Sequence, residues 1–170
     1  MLEYTINKDF TIDAELIVNL RNYPDKELPE YIQFNQVSGI FDISKSNITS
    51  LKGCPKECKE FYCYACNNLT SLEGAPEKCK EFYCNNCKNL TSLKGAPKEC
   101  ETFICIGCED LTSLEGAPEK CKTFNCSYCD KLLSLEKLPE IKDLFIYRGS
   151  HNRFEYSELK KICKAKKIQQ

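Results

Sequence analysis

Cys79-Lys-Glu-Phe82-Tyr-Cys84-Asn-Asn-Cys87-Lys-Asn-Leu90-Thr-Ser-Leu93-Lys-Gly95-Ala-Pro97 decides the fold, because the same stretch recurs on both sides of it at a step of 21 residues. Phe61, Phe82, Phe103 and Phe124 keep that step, as do Gly53, Gly74, Gly95 and Gly116, and Pro55, Pro76, Pro97, Pro118 and Pro139. Ile48, Leu69, Leu90, Leu111 and Leu132 open the Leu-Thr-Ser-Leu segments. Self-similarity at this period marks a solenoid, in which each repeat winds one coil and buries its apolar side against its neighbours.

Within a coil, Phe82-Tyr83-Cys84 alternates with period two. Phe82 and Cys84 therefore share one face and Tyr83 takes the other, as in a short strand with one buried side. Strands of successive coils are expected to form a parallel ladder spaced about 4.8 Å apart. Gly and Pro then turn the chain along the back of the coil, where so short a repeat leaves no room for a long helix.

The run from Cys79 to Leu90 resembles the leucine-rich-repeat signature, with cysteine and phenylalanine in the leucine slots and one extra residue before the last leucine. The resemblance spans residues 37–147. The Leu-Thr-Ser-Leu-x-Gly-x-Pro segment is similar to short repeats of bacteriophage proteins and bacterial effectors. It implies a leucine-rich-repeat-like solenoid and a protein partner, without saying which.

The ends are expected to be caps. Residues 1–36 read as an N-terminal cap of strand plus helix. Ile12, Leu16, Ile17 and Leu20 fall on one helical face over residues 11–22, with Thr11 or Asp13 as N-cap. Residues 37–147 then form five to six coils, and residues 148–170 a basic C-terminal capping helix that starts at Ser157 and carries Leu159, Ile162 and Cys163. In the first coil, Val37 to Ile43 holds one added residue before its aromatic. In the last, Ile141 to Ile146 is one residue closer to its proline.

Four C-x-x-C pairs (Cys63/Cys66, Cys84/Cys87, Cys105/Cys108 and Cys126/Cys129) are separated by 17 residues, a spacing that suits a structural zinc site. Packing explains them as well. Cys58, Cys79, Cys100 and Cys121 are matched by Val37 and Ile141 in the outer coils, and the Cys63 row by Ile43 and Ile146, so these slots accept aliphatic carbon. The Cys66 row occupies the slot where such repeats keep an asparagine that bonds backbone. A thiol donates weakly there, which predicts a looser turn. Core filling, metal binding and thiol redox chemistry are the three readings, and stacked thiols would also lie within disulfide reach of the next coil.

The 24 Lys and Arg balance 25 Asp and Glu, so there is no global basic field to attract nucleic acid. Charged residues interrupt Met1–Leu20, and no apolar run reaches the roughly 18 residues of a membrane span. The chain therefore reads as cytoplasmic, without cofactor. No nucleotide-binding loop or nucleophile elbow is present, and the lone histidine, His151, has no evident partner, so no enzyme is expected.

Function is expected on the outward strand positions, where the repeats differ most: Glu60, Tyr62, Tyr64, Glu81, Tyr83, Ile104, Ile106, Asn125, Phe145 and Tyr147. Aromatics held on a rigid sheet suit a protein partner, and cross-strand stacking is the purely structural alternative. The expectation is a non-catalytic protein-interaction module, on the resemblance an inhibitor of a host enzyme or defence complex such as an anti-CRISPR protein. The rivals are a zinc or thiol module on the C-x-x-C pairs, and an RNA adaptor using Lys160, Lys161, Lys164, Lys166 and Lys167.

Overall fold

The computed structural model describes residues 3–149, 154–163 and 167–169. The chain is a parallel β-solenoid of about seven turns with little helix. Its rungs are β1 (Tyr4–Ile6), β2 (Ile12–Ala14), β3 (Ile17–Asn19), β4 (Phe34–Asp42), β5 (Glu57–Tyr62), β6 (Lys78–Tyr83), β7 (Thr102–Ile104), β8 (Lys120–Asn125), β9 (Glu140–Ile146) and β10 (Lys167–Gln169). They form one sheet in the order β1-β2-β4-β5-β6-β7-β8-β9-β10, with β3 also paired to β4. All neighbours run parallel except β1 with β2.

Register follows the 21-residue step, with Cys58 opposite Cys79, Phe61 opposite Phe82 and Tyr62 opposite Tyr83. Phenylalanines therefore stack through the core from Phe41 to Phe145, with ring centroids 5.1 to 6.3 Å apart and every ring fully buried. Each such side chain contributes about 1.5–3 kcal/mol of burial, and the offset rings add about 0.5–1.5 kcal/mol per contact.

Both outer coils keep this stack by bulging. The register shifts between Val37 and Ile40 in β4, and between Cys121 and Thr123 opposite β9. The second shift corrects the reading of the last coil. Phe145 and Tyr147 are not outward residues: Phe145 pairs with Phe124, and Tyr147 is buried where the other coils place Cys126, Cys105 and Cys84. Ile146 takes the outward position instead, opposite Asn125. The residue missing after Pro139 is made up at Lys142-Asp143, because burying the aromatic outweighs keeping an unbroken ladder.

The N-terminal cap is not helical. Ala14 and Val18 face the core from β2 and β3, while Leu16, which breaks the two apart with φ 63°, and Ile17 lie at the surface. At the other end, α1 (Tyr156–Ile162) begins at Glu155 rather than Ser157, the Glu155 amide donating to the Glu158 carboxylate at 3.0 Å. Leu159 is fully buried and Cys163 nearly so. The last rung beyond β9 is nonetheless β10, not the helix.

Behind the strands, the two leucine rows of the Leu-Thr-Ser-Leu segments are buried in every coil from Leu69 to Leu114. Gly53, Gly74, Gly95 and Gly116 hold φ between 84° and 94°, and Lys137 takes the corresponding place at 68°. A second left-handed position, one residue before the Cys66 row, is filled by Lys45, Ala65, Asn86, Gly107 and Tyr128, with φ from 55° to 69°.

Candidate binding face

Strand alternation places two outward rows beside the buried phenylalanines. One runs Asp42, Tyr62, Tyr83, Ile104, Asn125 and Ile146. The other, two residues further along, carries Tyr64, Asn85, Ile106 and Ser127, tied coil to coil by backbone bonds from Ala65 to Asn85, Asn86 to Ile106 and Gly107 to Ser127. Tyr62, Tyr64, Tyr83, Ile104, Ile106 and Ile146 are all half-buried.

The tyrosines are locked. The Tyr62 and Tyr83 rings stack 4.7 Å apart at 5°. The Tyr62 hydroxyl donates to Glu60 at 2.9 Å, and that of Tyr83 to Glu81 at 2.6 Å. Burial, with these carboxylate bonds second, pushes the Tyr62 phenol up to about 12 and raises that of Tyr83 too. Glu60 and Glu81 thus orient the aromatics, and Lys45 lies 5.6 Å from the centre of the Tyr64 ring. Asn125 is only 8% exposed, and its carboxamide accepts from the Ser127 amide at 3.0 Å, which makes it a turn residue within the outward row. The face therefore combines a rigid tyrosine pair with an aliphatic patch at Ile104 and Ile106, already fixed in place before any contact.

The cysteines form three ladders. Cys58 and Cys79 touch, sulfur to sulfur, at 3.8 Å. Cys63, Cys84, Cys105 and Cys126 are fully buried beside the phenylalanines. The third ladder donates backward: Cys66 to the Ile43 carbonyl, Cys87 to Cys63, Cys108 to Cys84 and Cys129 to Cys105, at 3.0–3.2 Å. Ser46 fills this slot in the first coil and donates to Leu20 at 3.3 Å. The slot thus selects a small donor, and the turn expected to be loose is tied to the coil before it. Burial pushes the Cys66 and Cys121 thiols up to about 12, so both are protonated at neutral pH. Among the described residues, no three His, Cys, Asp or Glu side chains converge as a metal-binding group.

This ladder yields a prediction. Cys87→Val removes the donor and leaves the Cys63 carbonyl only the 3.4 Å bond from the Cys66 amide, which should cost about 0.5–1.5 kcal/mol. Cys87→Ser, which copies Ser46, should cost less. Urea unfolding of the two variants gives the order directly.

The sequence reading missed the N-terminal edge. Tyr4, Ile6, Phe10, Leu16 and Ile17 are more exposed than any residue of the sheet face. Their irregular spacing carries no repeat, and the helical reading had turned Leu16 and Ile17 inward. Lys160, Lys161 and Lys167 are exposed, whereas Lys164, Lys166 and His151 lie outside the described residues. No helix among the described residues is long and apolar enough to cross a membrane.

Fold and face together define a cysteine-cored β-solenoid with a laddered outer sheet. Comparison with protein families, curated proteins and solved structures returns no match.

Proposed function

We propose that the protein is a non-catalytic interaction module that holds one protein partner on its outward sheet, around Tyr62, Tyr83, Ile104 and Ile106. The observation that carries this reading is the locked tyrosine pair beside an aliphatic patch. Side chains ordered before contact lose little entropy on binding, and tyrosines are among the residues that carry most interface energy. The leucine-rich-repeat type and an inhibitor role toward a host enzyme or defence complex, of the kind bacteriophages encode, belong to this proposal through the resemblance of the repeats.

Replacing Tyr62, Tyr83 and Ile104 together by alanine should weaken partner binding by about 100-fold or more. Lost cross-strand pairing should lower stability by only about 1–3 kcal/mol. Partner recovery from the cells that make the protein, followed by calorimetric titration of both forms, measures the first; thermal unfolding measures the second. Unchanged affinity in a folded triple variant would remove this face from consideration.

A further inference from the structure

The 14 cysteines differ in what can reach them. Those of the second ladder are fully buried, and those of the third are at most 3% exposed, each sulfur donating to a carbonyl of the coil before it. A reagent in solution meets neither while the coils are closed. The first ladder runs along the flank of the solenoid instead. A groove of about 680 Å³ opens there on Cys58 and Cys79, between Glu57, Lys59, Lys78 and Lys80, and the two cysteines are 9% and 6% exposed.

Geometry favours a bond between them. Cys58 stands in register with Cys79 on the next rung, and the sulfurs are already in contact at 3.8 Å. Neighbouring strands lie about 4.8 Å apart, inside the roughly 4.4–6.8 Å between Cα atoms that a disulfide spans. Closure can therefore come from side-chain rotation, with the backbone ladder intact. The choice of partner is narrow. On its other side Cys58 faces Val37. Beyond Cys79 the ladder breaks, because β7 starts only at Thr102 and leaves Cys100 outside the strand pairing.

We propose that Cys58 and Cys79 are a modification site, joined across two coils into a reversible disulfide by a small-molecule disulfide oxidant of the glutathione type. The sulfur of Cys58, the more exposed of the two, attacks oxidised glutathione and forms a mixed disulfide, releasing one glutathione. Cys79 then attacks the Cys58 sulfur, the bond between the coils forms, and the second glutathione leaves. Two electrons pass from the cysteines to the oxidant, and the two thiol protons end on the two glutathione thiols. The bond to Cys79, and then burial, hold the Cys58 thiol protonated, so the site has no standing thiolate and closes slowly under sustained oxidant. Once closed, it fastens β5 to β6 in the middle of the array and removes the freedom of one whole 21-residue coil from the unfolded chain.

The full chain, purified reduced and kept folded, is held with excess oxidised glutathione, alkylated in denaturant and mapped without reduction. Lys56 and Lys59 bracket Cys58, and Lys78 and Lys80 bracket Cys79, so trypsin isolates the two thiols. The expected product is a single bridge between those peptides, with the other cysteines alkylated and the bridge reversed by dithiothreitol. Cys87→Ser should oxidise like the parent, whereas neither Cys58→Ser nor Cys79→Ser should form the bridge. The oxidised chain should resist urea, its unfolding equilibrium constant falling by about 100-fold. A first bridge to Cys54 or Cys100 would overturn the proposal, as would a Cys58–Cys79 bridge that forms only in denaturant or no bridge at all. A bridge that leaves the urea transition where it was would overturn the fastening of the coils. The wild-type map decides the site even if a serine variant does not fold.

Discussion

Phe103→Ala is expected to lower the unfolding free energy by about 3–5 kcal/mol, among the largest effects of any single truncation in the core. Phe103 is fully buried and lies at the centre of the stack, 5.2 Å from Phe82 and 5.6 Å from Phe124. Its loss removes ring contacts on both faces and opens a void that the neighbouring coils cannot fill, because each is held by backbone bonds to the next. In a solenoid, stability is close to a sum over neighbouring coils. A break at mid-array therefore also uncouples the two halves, and the urea transition should broaden as well as shift. Phe145→Ala, at the last ring of the stack and with its neighbour 6.3 Å away, should cost less. Equal losses at both positions would contradict an energetically continuous stack.

The second large effect is expected at Gly74. Its φ of 89° already disfavours any side chain, and a Cβ there would lie 2.6 Å from the Leu51 carbonyl carbon and 2.7 Å from the Lys52 amide nitrogen. Both are backbone atoms of the preceding coil, so no side chain can swing aside, and the coils themselves would have to separate. The left-handed conformation costs alanine about 1–2 kcal/mol and overpacking about 1–3 kcal/mol more. Gly74→Ala should thus lose about 2–5 kcal/mol on those two grounds, measured by urea unfolding. A loss below about 1 kcal/mol would show that the coil spacing yields easily.

The coil, its core rows and its strands are legible in the sequence because one step of 21 residues fixes where every phenylalanine, cysteine and leucine falls. The ends are not, because there the step is absent. Ile12, Leu16, Ile17 and Leu20 have helical spacing, yet the residues that turn inward are Ala14 and Val18, on two short strands joined at a left-handed Leu16. In the last coil, counting from Ile141 in the slot of Cys121 places Ile146 inward, whereas counting from Phe124 places Phe145 there. The buried ring sets the register, and the bulge absorbs the difference. The candidate face was legible as a set of outward positions. That Tyr62 and Tyr83 lock together, and that Asn125 serves its own turn, depends on contacts between coils that no single coil reveals.

The third cysteine ladder gives the chain an internal clock. Each of these sulfurs is sealed against a carbonyl of the coil before it and is at most 3% exposed, so an alkylating reagent meets it only when that rung opens. Labelling rates read position by position would therefore rank the coils by how often each unwinds, with no probe introduced into the molecule.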